Sequence, residues 1–385
     1  MSILIFDIEI SGHHTEYLLH LMKFIKKHKD PAEYVFIVSP LFKDFIKNKI
    51  EDDGFVSELN IIQITKDEYF YVNKNAYIWR SIKTYKLIKK YALRYMASDI
   101  FVMSINILIF SLIIYRGACS ISGIMFAQFL RMEKTGIKNK IKYIRKYAQT
   151  FLLTLNKGVR NIYLLNDEES CENLNMKYKT GIFRYLPDPI QNIDPIMGYN
   201  VRAEYGVNEK KKIFLHFGSL SIRKGTLGIL DSIPKINKDI LSDILFFFVG
   251  VPDESIVGFL SEKIEYYKKN YSAQIISDYS YVSDSKMKSL FDQADVVLMP
   301  YKNIESSSGV LGLAAASGKI VIGPEKGLVG DLIKKYNLGF TLEEINPDSI
   351  GFAINRLFDC DLLDSKFIDY VEERSVDVFC GAILL

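Results

Sequence analysis

The sequence predicts an α/β protein with two doubly wound domains, each built on a parallel sheet. Two series of short apolar segments alternate with amphipathic helical patterns, and a proline-rich break at Pro187–Pro189 separates the series. Strands that alternate with helices form parallel sheets, because each helix makes the crossover between neighbouring strands. A chain of 385 residues is also long enough for two domains. We therefore expect ligand sites at the carboxyl ends of the strands.

The break between the two series is the segment Tyr185–Pro189, YLPDP. Two prolines within three residues interrupt helices and central strands alike. The first predicted domain therefore covers residues 1–188 and the second covers 189–365. The remaining segment, 366–385, is predicted to be helical.

The two halves of the chain differ in charge. Residues 1–190 carry 28 lysines and arginines against 19 acidic residues, whereas the remainder carries 21 against 27. A basic first half favours an anionic surface as its partner. The net charge of +3 gives no reason to expect nucleic acid as a partner.

The sequence carries no pattern typical of a zinc site, a disulfide framework or a secreted protein. The four cysteines are far apart and form no CxxC pair: Cys119, Cys171, Cys360 and Cys380. Asp7 and Glu9 interrupt the first apolar run, so no signal peptide is expected. The uncharged run at 100–115 is shorter than the roughly 20 residues that span a bilayer. We expect a cytoplasmic protein without a membrane span.

The first predicted strand, residues 2–10, runs into the loop Ser11-Gly12-His13-His14-Thr15 and then into an amphipathic helix. This loop follows the carboxyl end of a strand, where doubly wound sheets bind ligands. Gly12 would let a ligand approach the backbone closely. His13 and His14 are candidate functional groups, and the alternative is that each is an ordinary polar loop residue.

A basic amphipathic helix is predicted over residues 134–155. Six cations, from Lys134 to Lys146, are interleaved there with isoleucines and tyrosines. Helices of this kind lie on anionic membrane surfaces. The alternative is a solvated helix face, and the basic balance of the whole first half favours membrane contact.

In the second series, the strand Lys212–Phe217 runs into a loop bounded by Gly218 and Gly225. Arg223 and Lys224 lie in that loop, just past the end of the strand. Two cations at this position can neutralise a diphosphate, and the glycines allow its close approach to the backbone.

The stretch 294–324 reads as strand, loop, helix and strand. Its loop carries one acid, Glu305, and then three serines and a glycine where a helix is predicted to begin. The free N–H groups and positive dipole end of a helix start suit a phosphate, and Glu305 could accept hydrogen bonds from sugar hydroxyls. The alternative is an ordinary surface loop with a serine cap.

Together these segments resemble the donor-binding half of a GT-B glycosyltransferase, the type with two Rossmann-like domains facing a cleft. The similarity is greatest to the retaining family called group 1 or family 4, through FGSLSIRKG, ADVVLMP and ESSSGVLGLAAASGKIVIG. SGHHTEYL is similar to the first loop of that family and YLPDP to its interdomain crossing. YVEERSVDVF is similar to its final helix, which returns to the N-terminal domain. The resemblance covers nearly the whole chain but is specific only over about 205–340.

The resemblance implies a nucleotide-diphospho-sugar as substrate and no cofactor or metal. Arg223 and Lys224 would hold the diphosphate, Glu305 the hydroxyls of the donor sugar, and His13 would act from the N-terminal domain. The amides at 308–310 would cap a phosphate, and Gly250 and the loop at 281–282 would border the base. The residues assigned to donor binding are Gly12, Gly218, Ser219, Gly250, Tyr281, Val282, Ser308, Gly309 and Val310.

Two positions depart from the family pattern. Its second glutamate, eight residues after the first and associated with the ribose, is replaced by Leu313, whose side chain accepts no hydrogen bond. The family's histidine in the N-terminal domain is also missing, since no histidine occurs between His28 and His216. His13 or His14 would have to replace it.

The sequence thus predicts a metal-independent, retaining glycosyltransferase that acts on a glycan or lipid-linked acceptor in surface-polysaccharide biosynthesis, with an anionic membrane surface as a further partner. One alternative is a non-catalytic GT-B partner subunit, which Leu313 and the missing histidine favour. A second alternative is a nucleotide-sugar epimerase of the same fold. The sequence leaves the nucleotide, the sugar, the acceptor, the linkage and the oligomeric state open.

Overall fold

The structure is a computed structural model that describes residues 2–10, 12–47, 58–115, 119–126, 128–132, 134–271, 273–302, 307–359 and 365–384. The chain divides into two compact units. The first unit consists of Met1–Pro189 together with Val376–Leu385, and the second consists of Ile190–Ser375. Each unit has its own parallel sheet and apolar clusters.

In the described part of the first unit, seven parallel strands form one sheet in the order β3-β2-β1-β4-β5-β6-β7. These strands are β1 (Ser2–Asp7), β2 (Tyr34–Val38), β3 (Asn60–Gln63), β4 (Ala97–Val102), β5 (Ser120–Ile124), β6 (Val159–Leu165) and β7 (Phe183–Leu186). The helices are α1 (His14–His28), α2 (Phe42–Lys47), α3 (Lys66–Asn73), α4 (Tyr77–Arg94), α5 (Ile109–Ile114), α6 (Gly136–Thr154) and α7 (Glu168–Tyr178).

In the described part of the second unit, six parallel strands form a sheet in the order β10-β9-β8-β11-β12-β13. These strands are β8 (Lys212–Phe217), β9 (Ile244–Val249), β10 (Gln274–Asp278), β11 (Val296–Leu298), β12 (Ile320–Pro324) and β13 (Gly339–Leu342). The helices are α8 (Val201–Tyr205), α9 (Thr226–Ser232), α10 (Lys238–Ser242), α11 (Val257–Tyr271), α12 (Asp284–Gln293), α13 (Gly309–Ala316), α14 (Gly327–Tyr336), α15 (Pro347–Asp359) and α16 (Phe367–Glu372). Short 3₁₀ helices lie at Pro31–Glu33, Ile105–Leu108 and Ile233–Lys235.

Both sheets have the doubly wound order, in which the direction of winding reverses between two neighbouring strands. The reversal lies between β1 and β4 in the first sheet and between β8 and β11 in the second. The central strands are largely apolar because helices cover both faces of such a sheet; β9, ILFFFV, is buried along its whole length. The predicted α/β fold with two parallel sheets is therefore confirmed.

The C-terminal helix α17 (Val376–Leu384) belongs to the first unit. Phe379 and Cys380 are buried there, and the Phe379 ring lies 4.9 Å from the Tyr17 ring of α1. Within the predicted final segment 366–385, α16 stays in the second unit and only α17 joins the first.

Two predicted elements differ in detail. Strand β7 overlaps, at Tyr185 and Leu186, the segment that the sequence assigns to the linker. It lies at the edge of the first sheet, where the prolines that follow it interrupt no further pairing. Strand β1 ends at Asp7 rather than at residue 10, because the Asp7 carboxylate accepts the Glu9 N–H (3.0 Å) and turns the chain. Across the described segments, no helix is long and apolar enough to cross a bilayer.

Candidate functional site

The loops after β8 and β11 meet where the winding of the second sheet reverses, which is the position where doubly wound folds bind ligands. The first loop, 218–225, carries the predicted cations Arg223 and Lys224. The second begins at Pro300 and leads towards α13. The Lys302 N–H donates to the Arg223 carbonyl oxygen (2.9 Å), so the two loops are joined.

Three glycines allow the backbones around this site to approach one another. Gly218, Gly225 and Gly250 have φ values of +101°, +77° and +131°. A Cβ at Gly225 would lie 2.2 Å from the Pro300 carbonyl oxygen, and one at Gly250 would lie 2.2 Å from the Gly218 carbonyl oxygen. Side chains at these two positions would therefore force the loops apart.

A buried histidine holds the 218–225 loop from beneath. Burial lowers the pKa of His216 to about 4, so its ring is neutral at physiological pH. Its Nδ1 lies 2.9 Å from the Leu298 carbonyl oxygen, which only accepts, so Nδ1 carries the proton and donates it. The Nε2 atom then accepts from the Thr226 hydroxyl (2.9 Å), whose oxygen accepts the Ser221 N–H (2.9 Å). This relay ties the loop to β8 and β11.

Lys224 is held in a partly desolvated position. Burial, with a further contribution from the charge of Arg223, lowers the pKa of its ammonium from 10.5 to about 8. Its Nζ lies 5.2 Å from the centre of the buried Tyr301 ring. Burial also raises the pKa of Tyr301 to about 12, and Ser308 and Arg223 partly offset that rise. Tyr301 therefore lies between the cationic loop and the start of α13.

Arg223 and Ser219 line a cavity of about 550 Å³ in the second unit, together with Ser221, Ile222, Asp253, Ser255 and Lys302. Lys302 and Arg223 are both exposed at this surface. The Asp253 carboxylate accepts the Ser255 N–H (2.9 Å), and this bond lowers the pKa of Asp253. The cavity thus presents two cations and several hydroxyl groups on one side of the loop.

The eight-residue helix α13 begins at Gly309, with Ser308 as its N-cap residue. The Ser308 side chain makes no capping hydrogen bond, while its carbonyl oxygen accepts the Leu311 N–H (3.1 Å). The first N–H groups of a helix lack partners within the helix and suit an anion. Glu305 lies outside the described residues. Leu313 is half-buried and packs against the apolar cluster of the second unit.

The segment predicted to border a base follows β10. Tyr281 is exposed, whereas Val282 packs partly against the core. The Asp278 carboxylate accepts from the Tyr205 hydroxyl (2.6 Å), and the Asp278 carbonyl oxygen accepts the Gly250 N–H (2.8 Å). The start of this segment, at the end of β10, is therefore held in place, and Tyr281 remains accessible.

In the first unit, the Gly12–His14 loop leads into α1. Gly12 adopts a φ of +64° at the turn. His13 is 55% exposed; the Glu16 carboxylate, 3.7 Å away, raises its pKa, and its ring stacks on that of Tyr17. The His14 ring is held by a closer contact, since its Nδ1 lies 2.8 Å from the buried Asp7 carboxylate.

The Asp7–His14 pair is a second polar centre at the carboxyl end of β1. Burial raises the pKa of Asp7. Burial alone would lower the pKa of His14, but its hydrogen bond and charge interaction with Asp7 outweigh that effect and raise it. Nearby, the Tyr17 hydroxyl donates to Asp188, and Arg80 pairs with Glu9. The role predicted for His13 stays a prediction, and of the two predicted histidines His14 is the one that contacts a buried carboxylate.

Sequence reasoning did not find Asp7, His216, Thr226, Asp253 or Lys302. Two of them could have been identified from their positions: Asp7 is the last residue of a strand, and Thr226 is the first residue of a helix that follows a glycine. Within the described residues, no group of three or more His, Cys, Asp or Glu side chains is placed to hold a metal ion. The predicted metal independence stays a prediction.

Comparison with known proteins relates this chain to sugar-transferring enzymes. Residues 200–374 match the family described as Glycosyl transferases group 1. A lipopolysaccharide 1,2-N-acetylglucosaminetransferase of Salmonella typhimurium is 31% identical over 163 residues, which make up 41% of this chain and 42% of that protein. An uncharacterized glycosyltransferase of Methanocaldococcus jannaschii is 25% identical over 236 residues, 60% of this chain and 55% of that protein. The chain thus spans about half the length of these curated relatives.

Solved structures resemble the chain over its whole length. WaaG, a glycosyltransferase involved in lipopolysaccharide biosynthesis, has a TM-score of 0.65 at 14% identity, covering 99% of this chain and 98% of WaaG. HepE of Anabaena, in complex with UDP and glucose, has a TM-score of 0.67 at 13% identity, covering 100% of this chain and 98% of HepE. At these identities the likeness shows the fold, and it confirms the predicted GT-B class.

Proposed function

We propose that this protein moves a sugar, with retention, from a nucleotide-diphospho-sugar to a glycan or lipid-linked acceptor, since residues 200–374 of its second unit match the group 1 glycosyl transferase family. The main support is that Arg223, Lys224 and the start of α13 all lie near the Tyr301 side chain. Cations, glycine backbone and a helix N-terminus at the reversal of a doubly wound sheet together suit a diphosphate.

The proposed chemistry depends on charge. When the bond between the anomeric carbon and the diphosphate breaks, negative charge develops on the departing phosphate oxygen. Arg223 and Lys224 would stabilise that charge, and they need no reorganisation because the His216 relay already fixes their loop. Fixed cations would do the work that a metal ion does elsewhere, so we propose a metal-independent reaction. Glu305 would hold hydroxyls of the donor sugar.

The acceptor is proposed from the first unit. Its basic balance and the cationic helix α6 suit an anionic membrane surface, where lipid-linked intermediates of surface polysaccharides are found. The curated relative from Salmonella typhimurium is named as a lipopolysaccharide-modifying transferase, which is consistent with this class of acceptor. We propose a peripheral attachment to that surface.

The test begins with a thermal-shift screen of nucleoside diphosphates and their sugars, since a ligand that binds the native state raises the melting temperature. With the donor so identified, Glu305→Ala should abolish transfer while leaving nucleotide affinity and melting temperature near wild type. Glu343→Ala, an exposed acid of the same unit, is the matched control and should transfer normally. Undiminished transfer by Glu305→Ala would remove that residue from the mechanism.

One observation favours a second candidate, a non-catalytic partner subunit. Leu313 packs against the core at the position where the family carries a glutamate, so the ribose contact of that glutamate is absent. Failure of every nucleoside diphosphate and donor sugar to bind would support this candidate over the transferase. Donor hydrolysis by the purified protein would exclude it.

A further inference from the structure

Helix α6 directs a row of apolar side chains away from its own core. Ile137, Ile141, Ile144 and Phe151 are 79%, 62%, 64% and 44% exposed. Their spacings of four, three and seven residues place them on one side of a helix. The residues of α6 that are buried, Thr150 and Leu153, lie on the other side. We call the four exposed residues the α6 stripe.

Cations flank the α6 stripe on both sides. Lys138, Lys140 and Arg145 are exposed, and α6 contains no acidic residue. Among the residues that the structure describes, no carboxylate lies within ion-pair distance of these three side chains. The apolar row and its unneutralised charges therefore form one continuous surface.

Two aromatic residues and an isoleucine at the start of α4 lie close to this surface. Tyr77, Ile78 and Trp79 are each about half exposed or more. Helix α5 packs against both α4 and α6, and the charge of Arg145 opposes the rise that burial causes in the pKa of Tyr77. Trp79 is the single tryptophan of the chain, and tryptophan favours the boundary between lipid and water.

We propose that the α6 stripe, its flanking cations and the Tyr77–Trp79 corner form the face on which the first unit lies on a bilayer containing anionic phospholipid. A helix of this composition lies in the interface, with its apolar face about 5–10 Å into the boundary between headgroups and acyl chains. Lys138, Lys140 and Arg145 would then meet the lipid phosphates, while Ile141 and Ile144 enter the acyl boundary.

The positive charge around the α6 stripe favours an anionic bilayer, rather than a second copy of the chain, as its partner. Packing two α6 stripes together would bring the cations of both copies into proximity, where like charges repel. An anionic lipid surface instead attracts each of them, and an exposed apolar patch with a basic rim is typical of membrane-binding surfaces. The observed combination therefore fits lipid better than self-association.

The experiment measures binding of the full chain to vesicles, without nucleotide, by sedimentation and by Trp79 fluorescence. Vesicles with phosphatidylglycerol should bind the protein and shift Trp79 emission to shorter wavelength; pure phosphatidylcholine vesicles should bind it far more weakly. The triple variant Lys138→Gln, Lys140→Gln, Arg145→Gln should bind on the order of 100-fold more weakly, because each charge near an anionic surface contributes about fivefold. Ile141→Ser with Ile144→Ser should lose the emission shift.

Matched controls come from exposed residues of the second unit. Phe352→Ser removes an apolar side chain that is 67% exposed, and a Lys210→Gln, Lys238→Gln, Lys269→Gln variant removes three exposed charges. Both should bind vesicles like wild type. Equal loss in the controls, unchanged binding by the α6 variants, or equal binding to both kinds of vesicle would each overturn the proposal. A dimer that Ile144→Ser dissociates, without vesicle binding, would overturn it in favour of self-association.

The membrane surface has a role in the reaction only if the acceptor is lipid-linked, so this inference rests on the proposed function. Membrane binding and sugar transfer can nevertheless be tested separately. Nucleoside diphosphate binding by the α6 variants, measured by calorimetry, should equal that of wild type. Loss of vesicle binding with intact nucleotide binding supports the surface. A protein that binds vesicles through α6 but binds no nucleotide would retain the surface and contradict the transferase.

Discussion

Replacing Lys224 with methionine should stabilise the ligand-free protein near neutral pH while weakening its binding of a nucleoside diphosphate. The ammonium of Lys224 is partly desolvated beside Arg223, so the folded protein holds a charge there at a cost. Methionine keeps much of the length of the side chain and carries no charge. A bound diphosphate would repay that cost, because it places negative charge beside both cations.

The size of the effect follows from the pKa. Lowering it from 10.5 to about 8 corresponds to about 3 kcal/mol at 1.4 kcal/mol per unit. Losing the contact between Nζ and the Tyr301 ring offsets about 1 kcal/mol of this. The net gain of about 2 kcal/mol should raise the melting temperature by roughly 4–8 °C. Loss of a charged hydrogen bond should weaken diphosphate binding by roughly 10- to 100-fold.

The sign of the pH dependence is fixed by the direction of the shift. Because the unfolded chain binds the proton more tightly, the cost of the charged Lys224 is fully present below about pH 8. It disappears as the pH rises from about 8 to 10.5, so wild-type stability approaches that of Lys224→Met over this range. Wild-type affinity for the diphosphate should fall as the pH rises above 8, since the bound form requires the proton.

The assay is thermal unfolding followed by circular dichroism at pH 7 and pH 10, with calorimetry of diphosphate binding. Lys302→Met is the matched control, because Lys302 lines the same cavity but is exposed, and its removal should not raise the melting temperature. The reasoning is refuted if Lys224→Met is no more stable than wild type at pH 7, or if its advantage is the same at both pH values.

Two further predictions concern the polar groups that support the two loops. Thr226→Val should lower the free energy of unfolding by about 3 kcal/mol, since it leaves the buried His216 Nε2 and the Ser221 N–H without partners; Thr226→Ser, which keeps the hydroxyl, should remain near wild type in thermal unfolding, and a Val variant as stable as the Ser variant would contradict the relay. Asp7→Asn should lower the pKa of His14 in an NMR titration and leave that of His13 nearly unchanged. In wild type, the stability gained from the Asp7–His14 pair should be full below pH 6.5 as long as Asp7 is ionised, and should decline as the pH rises through the raised pKa of His14. An unshifted His14 titration in Asp7→Asn would count against the pair.

The fold could be predicted because its determinants are local and repeated. Apolar strands of three to seven residues, separated by amphipathic helices, specify a parallel sheet wherever they recur. The failures also have local causes. Strand β7 is a four-residue edge strand that ends beside two prolines, and the sequence pattern there resembles a linker. Strand β1 stops at Asp7 because a side chain captures the backbone, which periodicity does not register.

The candidate site could be predicted only in part. Arg223, Lys224 and the glycines were recognisable because they follow a strand directly, where a doubly wound sheet places its ligand site. The His216 relay was not, since it joins β8, β11 and the start of α9, and Leu298 is 82 positions from His216 in the chain. The orientation of α6 was hidden for the same reason: the sequence shows an amphipathic pattern but not which face the remainder of the unit covers.

The packing of helix α13 in the second unit also decides what position 313 can contribute. A glutamate at position 313 would offer a carboxylate from the second turn of α13, whereas Leu313 packs against buried neighbours. At the preceding position, Gly312, an added Cβ would lie only 3.1 Å from the Ile190 side chain. This helix is thus packed tightly on its inner side and contributes its N-terminus rather than its side chains. Nucleotide recognition in this chain would then rest mainly on phosphate: on Arg223, on the costly charge of Lys224 and on the backbone at Ser308–Val310. A partly desolvated lysine would suit such a site, because the strength of its contact with an anion increases as water is excluded.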